Sequence, residues 1–120
     1  MKNILRFGAL VFLASSCYYD NKEELYQHSD TGCDTVDISF KSTIVPILEA
    51  NCYRCHSGAT PTFSLDLSSY TDVKRVADNG ALVGRLKGTI IPQMPYGSSP
   101  LPDCQIAQIE AWVNDGAPNN

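Results

Sequence analysis

The sequence predicts an all-α domain of about four short helices joined by loops rich in proline and glycine. The strongest observation is the segment Asp103 to Asn114, where apolar residues recur at helical spacing. The second is that Gly or Asn-Gly follows the later predicted helices, where helices commonly end. A length of 120 residues leaves room for one domain with one modest core.

The N-terminus has the features of an export signal over residues 1–16. Two basic residues precede an apolar run over residues 7–13, which is shorter than the roughly 20 residues needed to cross a bilayer. The small residues before Cys17 resemble the lipobox of bacterial lipoproteins, although Leu13 lies four residues before the cysteine instead of the usual three. A conventional cleaved signal is the alternative. We expect an exported protein of the bacterial cell envelope, lipid-anchored through Cys17 and facing the periplasm or cell surface.

Residues 17–35 are polar and charged without helical periodicity, so they are expected to tether the lipid to a folded domain over residues 36–120. His28 lies in this tether, where a solvated histidine is the simplest interpretation. Without residues 1–16 the chain carries seven basic and thirteen acidic side chains, a net charge of −6. Such acidity makes nucleic acid a poor partner and favours partners with positively charged docking surfaces, with an attraction that weakens as salt rises.

The first element is a weak strand at most, because the apolar–polar alternation over residues 36–40 is short. A first helix is predicted from Thr43, as its N-cap, to about Cys52, with Pro46 in its opening turn. Its apolar face consists of Ile44, Ile47 and Leu48.

Three further helices follow. They are predicted at Thr71–Ala77, Ala81–Leu86 and Asp103–Asn114, and end at Asn79-Gly80, Gly88 and Gly116. In the last helix the apolar stripe is Ile106, Ile109, Trp112 and Val113, and the side chains expected to face away are Gln105, Gln108 and Glu110.

The chemistry is concentrated in Cys52-Tyr53-Arg54-Cys55-His56. Two cysteines at this spacing can each form a thioether with a vinyl group of one haem, and the adjacent His56 can bind the iron. A redox-active cysteine pair and half of a zinc site are the alternatives. The first is typical of alternating α/β sequences, and the second requires four protein ligands. The motif therefore predicts one covalently bound haem c.

Met94 is the candidate for the opposite axial ligand. It is the only methionine after Met1 and lies 38 residues beyond His56, between Pro92 and Pro95. A lone methionine is more often a core side chain. Here the proline-bracketed loop and the preceding haem motif favour ligation. A thioether ligand raises the reduction potential relative to a second imidazole. His28 is the second candidate for this position, and an open coordination site is the third.

The segment from Ile38 to Ala117 resembles a class I cytochrome c domain, of the single-haem kind found in bacterial lipoproteins. The stretches that carry the resemblance, besides the haem motif, are residues 42–48, 65–67, 69–70, 94–95 and 111–117. The resemblance implies a class I cytochrome c-like fold, His56 and Met94 as axial ligands, and a first helix packed on the last beside Trp112. The loop after the motif is short, so the acceptor for the second ring N–H of His56 is unassigned, with Pro61 as a candidate.

Two cysteines remain, Cys33 and Cys104. In an oxidising compartment a disulfide between them is expected, and two unpaired thiols are the alternative. The function predicted from the whole chain is single-electron transfer without enzymatic activity. The competing hypotheses are a haem enzyme or small-ligand sensor with a labile sixth ligand, and a haem subunit docked on a larger redox complex.

Overall fold

The structure is a computed structural model that describes residues 32–120, and within this range it is helical without a β-strand. The five α-helices are α1 (Val45–Asn51), α2 (Tyr53–His56), α3 (Tyr70–Asp78), α4 (Ala81–Leu86) and α5 (Asp103–Asn114). A π-helical turn, Phe40–Ile44, leads into α1, and a 3₁₀ turn, Thr62–Ser64, follows α2. The predicted export signal, the predicted lipidation site Cys17 and His28 lie outside the described residues.

The π-helical turn and α1 together form the first helical segment, residues 40–51, which begins earlier than predicted. Phe40 is already helical, so the strand suggested for residues 36–40 is absent, and Thr43 is not the N-cap. Ser39 is the N-cap. Asn120 adds a contact from the far end of the chain: its Oδ1 accepts from the Phe40 N–H at 2.7 Å. Asn120 thus provides the acceptor for an N–H of the first turn that has no partner within the helix, and no local sequence pattern connects the two residues.

The core lies between the first helical segment, α3 and α5. Its most deeply buried side chains are Ile44, Leu48, Val73, Ile109 and Trp112. The rings of Phe40 and Trp112 are stacked with centroids 5.4 Å apart, and Tyr70 meets Phe40 edge-on at 5.0 Å. The Phe40–Trp112 contact thus joins the π-helical turn before α1 to α5, and the Phe40–Tyr70 contact joins the same turn to α3.

The end of α5 folds back onto the core. Gly116 has a φ of +88°, and the Ala117 N–H donates to the Trp112 carbonyl at 2.9 Å, as in a Schellman motif. Trp112 in turn donates its Nε1–H to the Pro118 carbonyl, and the Tyr70 hydroxyl donates to the Ala117 carbonyl, both at 2.9 Å. The glycine that was predicted to end the last helix therefore also directs the following residues back over α3 and α5.

The predicted pairing of Cys33 with Cys104 is confirmed, with a Cα–Cα distance of 5.5 Å. Cys33 is buried, and the neighbouring Asp34 carbonyl accepts a hydrogen bond from Gln108 Nε2 at 3.1 Å. Cys33 and Asp34 are thus attached to α5.

The first turn of α5 has a polar group without a partner. Pro102 is the N-cap and Gln105 is the third helical residue, whose side chain often accepts from the N-cap N–H. Proline has no N–H, and the Gln105 Oε1 is buried without a hydrogen bond among the described residues. The expectation that Gln105 faces away is therefore wrong for this atom.

Candidate functional site

The five-residue motif forms a single helical turn after a break in the helix. Cys52 has φ −123° and ψ −36°, which separates α1 from α2. The N–H groups of Cys55 and His56 both donate to the Cys52 carbonyl, at 3.1 and 2.9 Å. Residues at positions i, i+3 and i+4 of a helical turn lie on one side. The turn therefore places Cys52, Cys55 and His56 on a common face.

Both cysteines of the motif are free thiols in different surroundings. Cys55 is exposed, whereas Cys52 is half-buried, and burial raises the pKa of the Cys52 thiol to about 11. A redox-active cysteine pair needs a lowered pKa, because the thiolate is the reacting form. Although Cys52, Cys55 and His56 share a face, no three His, Cys, Asp or Glu side chains in residues 32–120 form a group that could by itself hold a metal ion. The environment of Cys52 thus argues against the redox-pair alternative.

The His56 ring is half-buried, and its Nδ1 is buried without a hydrogen-bond partner within the described range. Pro61, the candidate acceptor, instead accepts from the Ser64 N–H at 3.0 Å. The His56 backbone is well held, since its carbonyl accepts from the Leu67 N–H at 2.7 Å. This bond closes the loop of residues 57–66 directly behind the motif.

Met94 lies in the connection between α4 and α5, and its side chain is half-buried. Its N–H donates to the Arg85 carbonyl at 3.0 Å, and the Arg85 Nη1 donates to the Pro92 carbonyl, also at 3.0 Å. Both prolines beside Met94 follow cis peptide bonds. The structure thus gathers Cys52, Cys55 and His56 on one turn and ties Met94 to a different helix, α4. No hydrogen bond in the described range joins His56 to Met94.

Arg85 is a residue that the sequence reasoning did not single out. Its partner Pro92 lies seven positions further along the chain. Arg85 lies in a helix and Pro92 in the loop that follows it, so neither helix nor strand periodicity predicts that the two residues meet. Only the structure shows that Arg85 contacts the loop on which Met94 lies.

Large apolar side chains are exposed in the two loops associated with the site. Phe63, in the loop after His56, is 89% exposed. Ile91 and Tyr96, on either side of Met94, are 81% and 78% exposed. Exposed apolar side chains that form a contiguous patch mark sites for ligands or partners, whereas single exposed ones are ordinary. These loops therefore offer apolar surface to a ligand or partner.

A surface groove of about 400 Å³ lies between α4 and α5. Its lining includes Leu86, Gln93, Leu101 and Ile106, and the paired side chains of Lys87 and Glu110. None of the three motif residues Cys52, Cys55 and His56 lines it. The groove is therefore distinct from the turn that carries the motif.

Comparison of the chain with protein-family profiles, with characterised proteins and with solved structures finds no match. Within residues 32–120, no helix combines the length and apolar character that a bilayer span requires.

Proposed function

We propose that the protein is an electron carrier of the bacterial cell envelope, a class I cytochrome c-like domain that binds one haem c with His56 and Met94 as axial ligands. The observation that carries the proposal is the turn at residues 52–56. It presents two free thiols and an imidazole on one face. That is the donor set which a covalent haem requires, in the required order.

Exposed apolar side chains in the loops that carry the proposed ligands fit such a group. The exposed Phe63, Ile91 and Tyr96 would supply apolar surface against a macrocycle, and they lie in the loops that follow His56 and flank Met94. Cys52 and Cys55 would hold the haem through thioethers, while His56 and Met94 would occupy the two axial positions. When bound, the haem supplies an iron that changes its charge by one electron.

The chain contributes positioning more than acid–base chemistry. The His56–Leu67 backbone bond fixes the histidine at the base of its loop, and the Met94–Arg85 bond fixes the methionine on α4. A sulfur ligand held in this way favours outer-sphere electron transfer, because it occupies the coordination site that a substrate would need. The enzyme or sensor hypothesis requires that Met94 dissociate or never bind.

The optical spectrum of the haem-loaded full chain in both redox states tests this proposal. We expect a sulfur-to-iron charge-transfer band in the oxidised wild type and its loss in Met94→Ala. Ser98→Ala, a truncation at an exposed position in the same connection between α4 and α5, should keep the band. A wild type without the band that binds small ligands at the iron would favour the enzyme or sensor hypothesis instead.

The proposal extends to location and partners. Lipidation of Cys17 would keep the domain at a membrane surface, and the net charge of −6 after residues 1–16 favours redox partners with basic docking faces. Electron exchange with such a partner should slow as ionic strength rises, because screening weakens the attraction. A rate that does not change with salt would argue against a charge-guided encounter and for permanent docking on a larger complex.

A further inference from the structure

The loop from Thr89 to Tyr96, here named the Met94 loop, is attached to the C-terminal turn of α4 by backbone hydrogen bonds. The Ile90 N–H donates to the Gly84 carbonyl, and the Met94 N–H donates to the Arg85 carbonyl, each at 3.0 Å. The last carbonyls of a helix have no partner within the helix. The Met94 loop thus supplies donors to two carbonyls in the last turn of α4.

Arg85 contacts this loop at two points. Its carbonyl accepts from Met94, and its guanidinium donates to the Pro92 carbonyl at 3.0 Å. The two contacts lie on either side of Gln93, so they hold the backbone both before and after the residue that precedes Met94. We propose that Arg85 is the positioning residue that presents Met94 to the haem iron. This inference rests on the proposed function, since it assumes that Met94 is a ligand.

The Met94 loop packs closely on α4, which places its carbonyls within hydrogen-bonding distance of Arg85. A Cβ placed on Gly84 would lie 2.6 Å from the Ile90 Cδ1 and 2.8 Å from its Cγ1, so the loop packs closely on the helix at this position. Gln93 Nε2 also donates to the Leu86 carbonyl at 3.1 Å. The loop therefore lies directly on the end of α4, within reach of the Arg85 guanidinium, which carries several donors in a fixed geometry.

Lys87 provides a matched control. Lys87 is also cationic and directly follows the last residue of α4, so its charge interacts favourably with the helix dipole, as that of Arg85 does. Its ammonium, however, pairs with Glu110 Oε1 on α5 at 2.7 Å, while the loop carbonyl of Pro92 is bound by Arg85. Arg85→Met and Lys87→Met each remove one positive charge and keep an unbranched apolar chain. Only the first removes the donor to Pro92.

The test uses the haem-loaded full chain and measures how tightly added imidazole displaces Met94, as loss of the charge-transfer band. Arg85→Met should bind imidazole about tenfold more tightly than the wild type, because a charged hydrogen bond that holds the loop is gone. Lys87→Met should stay within about twofold. Arg85→Lys, which keeps one donor at this position, should fall between the two and serves if Arg85→Met does not fold.

Amide hydrogen exchange gives an independent readout in the same proteins. Arg85→Met should accelerate exchange at Met94 more than at Ile90, whose acceptor is Gly84. The inference about Arg85 is overturned if the wild type has the band but imidazole displaces Met94 equally easily in Arg85→Met and in Lys87→Met. A wild type without the band overturns the proposed ligation and this inference together, so the two failures are distinguishable.

Discussion

Cys52 and Cys55 differ in accessibility although they lie one helical turn apart. Burial raises the pKa of Cys52 to about 11, and Cys55 is exposed. At pH 8 about one Cys52 in a thousand is therefore a thiolate, the form that alkylating agents attack. In the haem-free folded chain we expect iodoacetamide to modify Cys55 first.

Mass mapping of the alkylated peptides over a pH series checks this prediction. The rate at Cys52 should keep rising as the pH approaches 11, because deprotonation follows the raised pKa. Equal rates at Cys52 and Cys55 at pH 8 would contradict the burial of Cys52. Alkylation after unfolding provides the control, since there both thiols should react alike.

Single residues differ in how far the sequence predicts them. Cys52, Cys55 and His56 follow from a local spacing, because a helical turn brings neighbours three and four apart together. The roles of Arg85 and of the Gln105 side chain do not. The contacts of Arg85 reach across a turn to another segment, and the missing partner of Gln105 depends on Pro102 being the N-cap.

At the scale of the element, α4 and the Met94 loop are in contact at Gly84. In an ordinary helix, replacing glycine by alanine stabilises the protein by about 0.5–1 kcal/mol. Here we expect Gly84→Ala to lower the free energy of unfolding by about 1–2 kcal/mol, because the new methyl overlaps Ile90. In an Ile90→Ala background the same change should be neutral or stabilising. An equal cost in both backgrounds, measured by urea unfolding, would contradict the contact.

The start of α5 can be stabilised by substitution, because its N-cap is a proline that offers neither a side-chain acceptor nor an N–H. Pro102→Ser supplies both a capping hydroxyl and an N–H for the unpartnered Gln105 Oε1. We expect the free energy of unfolding to rise by about 1 kcal/mol relative to Pro100→Ser, which removes a nearby exposed proline outside the helix. No difference between the two variants would mean that Gln105 does not accept from the new N–H.

The bounds of α4 and α5 were predictable because their signals are local. A glycine with positive φ follows each of them, and the apolar spacing in α5 is long enough to define a face. The start of the first helical segment was not, since Asn120 provides part of its cap from the other end of the domain. Thr43 satisfied the local pattern for a cap, but tertiary contacts placed the helix start at Phe40.

At the scale of the whole molecule, the Cys33–Cys104 disulfide joins positions 71 residues apart. In the chain-entropy estimate a loop of this length stabilises the folded state by about 4 kcal/mol. We expect a Cys33→Ala/Cys104→Ala double variant to lose stability of this order in urea unfolding, with the haem attached. Gln108→Ala, which removes only the hydrogen bond to Asp34, should cost about 1 kcal/mol. A loss below about 1 kcal/mol in the double variant would mean that the disulfide constrains little of the unfolded chain.

The central claim is that Cys52 and Cys55 bind one haem covalently, and the intact mass of the exported protein tests it most directly. Produced in a host with haem-attachment machinery, the denatured chain should retain the added mass of one haem, with the haem on the peptide that contains residues 52–56. A Cys52→Ala/Cys55→Ala variant should carry none. A wild-type chain of unmodified mass, produced beside a control cytochrome that does acquire haem, would contradict the account.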